Sequence, residues 1–324
     1  MGKNNMTNGR HTRMNSRLWL WLLLLGCAVG ATAQDRIPDR LAPQDTLRNP
    51  VLHVQHGTAP LHDPVTVGNS LPRTFRNAGT NGILRAEQLA PFFEKLCQGT
   101  EPVRIVQLGD SHVRGHVFSV AARHTLEAAW GSQAVHPDAI TYQTPALARE
   151  TGAPGLVYHA IGINGATAAE FCNTEQMDKV ASLMPDLVIL SFGTNESHNR
   201  RYDPVEHYAQ MDALLTLLRH YVPDAEVMLT TPPGSYVRAS RRRRIINPRT
   251  AKAVDTILEF AEARDLPVWD LYNLAGGARS ACANWRTNRL MQRDQVHFTH
   301  QGYTIQGNLL GEALLKAFND YVAN

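Results

Sequence analysis

Five short apolar runs, Val103 to Leu108, Leu156 to Ile161, Leu187 to Phe192, Val227 to Thr231 and Val268 to Leu271, recur along the chain with amphipathic segments between them. Runs of this length bounded by turn residues read as buried strands. Strands alternating with helices predict a mostly parallel sheet covered on both faces. The helices are legible in their own right. Asp203-Pro204-Val205-Glu206 supplies a cap, a proline at the first helical position and an acid at the third, and Tyr208, Met211, Leu215, Leu218 and Val222 follow at helical spacing. Asn247-Pro248 opens a second helix with Val254, Ile257, Leu258 and Ala261 on one face, and Thr299 is placed to cap a last helix with Ile305, Leu309, Ala313, Leu314 and Phe318 inward.

Four polar motifs punctuate this pattern: Gly109-Asp110-Ser111-His112, Gly162-Ile163-Asn164-Gly165-Ala166, Gly193-Thr194-Asn195-Glu196 and Asp294-Gln295-Val296-His297. The first three follow predicted strands, and in such sheets ligands bind beyond the carboxyl ends of the strands. A serine hydroxyl is a weak nucleophile at neutral pH. It needs a base in hydrogen-bond contact, and the base needs a partner to fix its tautomer. Ser111, His297 and Asp294 can fill those roles, since a three-residue spacing lets Asp294 reach one ring nitrogen of His297 while the other faces Ser111. The backbone N–H groups of Ser111 and Gly165 and the side-chain amide of Asn195 are candidate oxyanion donors, each worth roughly 3 to 4 kcal/mol. Asp110 and Gly193 support these turns. Each motif also has a plainer reading: Ser111 as the cap of a helix from Val117 to Trp130, Gly162 or Gly165 as a turn residue, Asn195 as a loop amide, and Asp294 with His297 as a surface ion pair. Four such coincidences in this order are far less probable than one site.

The motifs resemble the four signature blocks of the SGNH, or GDSL, hydrolase superfamily. The resemblance spans about residues 100 to 320. It implies an SGNH fold, which is a three-layer α/β/α sandwich with a parallel, flavodoxin-like sheet, and a serine esterase that needs no cofactor. The variants G-D-S-H, G-I-N-G-A, G-T-N-E and D-x-V-H-F-T-x-x-G-Y are similar to the branch containing bacterial peptidoglycan O-acetylesterases. Some members of that branch carry a carbohydrate-binding-like insert between the first two blocks, for which the separation of Ser111 and Gly165 leaves no room. Gly165 fits the superfamily pattern better than Gly162 as the oxyanion donor. The implied substrate is an O-acetylated glycan, peptidoglycan above others. Another polysaccharide, a lipid-like ester or acyl transfer by the same serine are the alternatives.

A metal site is the rival for the histidines, because His112 and His116 are four apart on a presumptive helix with Asp110 near. No H-E-x-x-H pattern supports it, and the reading is no metal. The absence of a G-x-S-x-G elbow argues against an α/β-hydrolase. A net charge of +3 is too small to indicate nucleic acid.

Arg10, Arg13 and Arg17, then Leu18 to Leu25, then Ala31-Thr32-Ala33 read as a signal peptide over 1–33, predicting export to the periplasm or cell envelope with no stable membrane span. Leu24-Leu25-Gly26-Cys27 also resembles a lipoprotein box, which would put a lipid anchor on Cys27. The proline-rich stretch 34–80 reads as a linker or a segment laid over the surface of a hydrolase domain at 81–324. Cys97, Cys172 and Cys282 match no metal spacing and read as small buried residues. Two features stay open at this level. The run Arg241 to Arg244 is either a solvated loop or an attractor for an anionic glycan, and Trp285 is either a sugar-stacking platform or a packing residue.

Overall fold

The computed structural model describes residues 61–137, 146–241 and 243–324. The expected signal segment, Cys27 and the first part of the proline-rich stretch lie outside the described residues. The strands are β1 (Ile83–Leu84), β2 (Pro102–Gly109), β3 (Gly155–Gly162), β4 (Leu187–Ser191), β5 (Glu226–Thr230), β6 (Tyr236–Arg238), β7 (Arg244–Ile246) and β8 (Val268–Trp269). The helices are α1 (Ala90–Gln98), α2 (Ser111–Arg114), α3 (Val117–Trp130), α4 (Thr174–Ser182), α5 (Thr194–His198), α6 (Pro204–Tyr221), α7 (Pro248–Ala263), α8 (Leu271–Leu274), α9 (Gly277–Thr287) and α10 (His300–Val322).

The main sheet runs β1-β8-β5-β4-β2-β3, parallel throughout except for the antiparallel β1 at its edge. In order of appearance the parallel strands are arranged 2-1-3-4-5, the flavodoxin-like order, whose switch point lies between the first and third strands, here β2 and β4. Successive residues of each strand face opposite layers. Ile189 points into a core built with α1, α3 and α10, whereas Val188 and Leu190 point into one built with α4, α6 and α7. Both faces are therefore dry, which is why the strands read as continuous apolar runs.

The expected caps form. Asp203 accepts from Val205 N–H, Asn247 from Arg249 N–H and Thr299 from Gly302 N–H. One expected helical pairing does not form: His112 sits in α2, and His116 has a left-handed backbone (φ 57°) that breaks the chain before α3. The two imidazoles therefore do not share a helix face, and among the described residues no group of three or more potential ligands converges on a metal site. Val268–Trp269 is the whole of the fifth parallel strand, because Asp270 caps α8.

Residues 61–80 run across α9 and α10. Val65 exchanges backbone hydrogen bonds with the Asn319 side chain, Arg76 does the same with Asn284, and Phe75 packs edge-on against Trp285 at 4.9 Å. Trp285 is fully buried, contacts Phe298 and donates its indole N–H to the Pro233 carbonyl. It is a packing residue and not a platform for a sugar. Cys97 and Cys282 are buried, Cys172 is half-buried, and all three are free thiols.

α3 and α10 pack closely against each other. A Cβ on Gly307 would overlap the Phe118 carbonyl oxygen, and one on Gly311 would press on Thr125. Gly307→Val is expected to destabilise the protein by about 3 kcal/mol, as overpacking of a tight contact does. Urea unfolding measures it, and a loss below about 0.5 kcal/mol would contradict the close approach.

Candidate active site

The parallel register places three motifs side by side. Gly109 at the end of β2 pairs with Gly162 of β3 on one side and with Ser191 of β4 on the other. The turns that follow these positions carry Ser111, Gly165 and Asn195. Only glycine fits at 109 and 162, because a Cβ at 109 would meet Val113 and the Ser191 carbonyl, and one at 162 would overlap the Arg114 backbone. Gly165, by contrast, faces open space in a left-handed conformation (φ 77°).

The fourth motif arrives from the segment before α10. Gln295 takes a left-handed conformation (φ 57°), which turns the backbone so that Asp294 Oδ1 accepts from the N–H groups of Val296 and His297, each at 3.0 Å. Asp294 Oδ2 meets His297 Nδ1 at 2.6 Å, and His297 Nε2 lies 2.9 Å from Ser111 Oγ. A carboxylate only accepts, so the proton of the first contact belongs to Nδ1, and Nε2 is left to accept from the serine. Burial acts to raise the Asp294 pKa, but the hydrogen bonds from His297 and the two backbone amides outweigh it and hold the carboxyl below its usual range. The arrangement is chemically able to move a proton from Ser111 to His297 while Asp294 stabilises the resulting imidazolium.

Behind His297 stands His112, whose ring lies 5.4 Å from it and whose Nδ1 is 2.9 Å from the Tyr303 hydroxyl. Burial drives its pKa down to about 3, with His297 adding to the effect, so His112 stays neutral beside His297.

The oxyanion candidates differ in state. Ser111 opens α2, and its N–H has no intrahelical acceptor. The turn at Gly165 is closed by Ala166 N–H to the Ile163 carbonyl at 3.1 Å, which leaves the Gly165 N–H out. Asn195 differs from the simple expectation. Its amide donates to Asp110 Oδ2 at 3.1 Å and to the Ala166 carbonyl at 2.9 Å, so an incoming oxyanion would have to compete for one of its hydrogens.

Two buried carboxylates tie the motifs together. Asp110 accepts from His112 N–H at 2.8 Å and from Asn195, which joins the first block to the third. Glu196 accepts from Gly193 N–H at 2.8 Å and Ala168 N–H at 3.1 Å, which joins the third block to the turn that follows the second. Sequence reasoning assigned no role to Glu196. The signal was present in its acidic position three residues after Gly193, the spacing of a capping box. Burial raises both carboxyls to about 7, and the charge of Asp110 adds to the rise at Glu196.

A match to the model of the GDSL-like lipase/acylhydrolase family covers residues 107–305, which hold all four motifs and more than half of the chain. The chain belongs to this family. This GDSL-family protein is a carboxylic ester hydrolase. No curated protein sequence matches it. Among solved structures, a peptidoglycan O-acetylesterase superposes with a TM-score of 0.62 at 20% identity, covering 71% of this chain and 96% of that one. An acetyl xylan esterase gives 0.47 at 16% identity over 64% of this chain and 98% of its own. A GDSL-like lipase from Bacteroides thetaiotaomicron gives 0.42 at 18% identity, with 72% and 100% covered. The first of these establishes the likeness of fold.

Glu196→Gln puts an amide N–H against one of the two backbone donors and is expected to lower kcat about tenfold, or about 1.4 kcal/mol in barrier, with little change in KM. Its effect on stability depends on pH. An acid whose folded pKa is raised from 4.5 to about 7 holds its proton when the unfolded chain has lost it, so its contribution to stability is lost as pH rises from about 4 to 7. The glutamine escapes that loss. Urea unfolding is expected to show the variant less destabilised at pH 7.5 than at pH 4.5, and equal losses at both would contradict the buried, proton-holding carboxyl.

Proposed function

We propose that the protein is an exported serine esterase that removes O-acetyl groups from cell-wall glycan, peptidoglycan in particular, and so acts in wall remodelling at the periplasm or cell envelope. The observation that carries the mechanism is the unbroken line from Ser111 Oγ through His297 to Asp294, at 2.9 and 2.6 Å. In this reading Ser111 attacks the ester carbonyl as His297 takes its proton, and Asp294 holds the imidazolium. The N–H groups of Ser111 and Gly165 receive the oxyanion, with Asn195 releasing one internal acceptor to join them. His297 then protonates the departing sugar oxygen, leaving acetyl on Ser111, and water activated by the same histidine cleaves that ester to free acetate and restore the serine. No step calls for a cofactor.

The substrate rests on the resemblance of the four motifs to the peptidoglycan O-acetylesterase branch, with support from the fold shared with a solved member of that activity. The export reading rests on the basic, apolar and small-residue order of residues 1–33.

The test is acetate release from O-acetylated peptidoglycan and from acetylated xylan. The wild-type protein is expected to release acetate from peptidoglycan and not xylan. Ser111→Ala is expected to cut the rate by about 10⁴-fold or more. Release from xylan alone would keep the mechanism and overturn the substrate. Acetate release that survives in Ser111→Ala would overturn the mechanism itself.

A further inference from the structure

Two stretches that border the site combine several arginines with no acidic residue. Residues 227–254 and 271–293 together hold eleven of the 32 Lys and Arg and none of the 29 Asp and Glu. The net charge is only +3, so this is a concentration of positive charge in one part of the sequence and not a property of the whole chain.

The fold brings the exposed parts of both stretches to the same edge of the site. The hairpin β6–β7, absent from the sequence reading, presents Arg238, Arg241 and Arg243 to solvent. It is attached to the site at two points. Tyr236 N–H donates to the Gln295 carbonyl at 2.9 Å, within the turn 294–297, and Ser235 Oγ lies 2.8 Å from Nε2 of His198, on the short helix that bears Asn195. From the other stretch, Arg286 lies over the Tyr236 ring at 5.4 Å, and the exposed Arg289 and Arg293 lead directly into Asp294. Among the described residues none of these six arginines is in an ion pair. Asp294, the acid at the inner end of the rim, is bound to His297.

Like charges gathered without counter-charges repel one another, and an anion from outside relieves that repulsion. Arginine is suited to the task, because its planar fork takes carboxylates in paired hydrogen bonds. We propose that this arginine rim is the seat of a carboxylate-bearing glycan, which it holds so that an acetyl ester on the strand reaches Ser111. The proposal rests on the glycan-esterase reading above and narrows it to an anionic polymer. Peptidoglycan, through the carboxylates of its stem peptides, has that chemistry, and xylan acetate without acid substituents lacks it.

Binding is tested apart from catalysis. Ser111→Ala protein is sedimented with purified peptidoglycan sacculi, with sacculi whose carboxylates have been amidated, and with vesicles of phosphatidylglycerol. The same is done with Ser111→Ala carrying Arg241→Glu and Arg243→Glu, with folding checked by circular dichroism. Lys179→Glu combined with Arg219→Glu, on the exposed faces of α4 and α6, changes the net charge by the same four units and is the control for net charge. The expected result is binding to untreated sacculi at least tenfold weaker in the double arginine variant and unchanged in the control. Amidation should bring the unaltered rim down to the level of the variant, and the binding should weaken between 20 and 150 mM salt as screened charge contacts do. Equal binding by both proteins, indifference to amidation, or arginine-dependent binding to the vesicles alone would each overturn the proposal. Arginine-dependent binding to sacculi with no acetate released by the wild type would leave the rim standing and overturn the esterase substrate.

Discussion

The parallel register of β2 with its two neighbours is the constraint on which the site depends. Gly109 lies level with Gly162 and Ser191, so three turns distant in sequence leave the sheet at the same height. That alignment alone would leave the turns free to shift against one another. Asp110 and Glu196 remove the freedom: Asp110 accepts from donors in the first and third blocks, and Glu196 from the third block and from Ala168, two residues past the second. Burying two carboxyls is costly, and their raised pKa values record that cost. The return is a fixed spacing between Ser111, Gly165 and Asn195, which preorganised donors require.

Asp294 and His297 come from outside the sheet, in a four-residue turn before α10. The left-handed Gln295 lets one carboxylate hold both the backbone and the ring of the histidine that follows it. The same residue receives the hairpin β6–β7 through its carbonyl. The turn that aligns His297 is thus also the point at which the arginine-rich surface joins the site, and chemistry and recognition of charge share one anchor.

Much of this was legible in the amino-acid sequence because both faces of the sheet are buried. The run Leu187 to Leu190 is apolar because both faces are buried, and the helix starts at Asp203, Asn247 and Thr299 announce themselves by their caps. The positions of Ser111, Gly165 and Asn195 follow from motifs placed at strand ends, and those of Asp294 and His297 from a three-residue spacing just before the last helix. Where the reading fell short, the cause was short or nonlocal structure. Ile83–Leu84 and the hairpin strands are too brief to show a period, and the arginine turn of the hairpin reads as loop. The break before α3 takes its left-handed residue at His116 and not at the adjacent Gly115, where sequence would put it. The pairing of the Asn195 amide, the bracing by Glu196 and the burial of Trp285 all depend on partners distant in sequence, which spacing along the chain does not reveal.

The central claim is that Ser111 is the nucleophile and that His297 activates it. Intact-protein and peptide mass spectrometry after exposure to a fluorophosphonate, which captures activated serines, tests this most directly. The account predicts a single adduct on Ser111 that forms at a rate sharply reduced in His297→Ala. An adduct on a different residue, or a rate on Ser111 indifferent to the loss of His297 in folded protein, would contradict it.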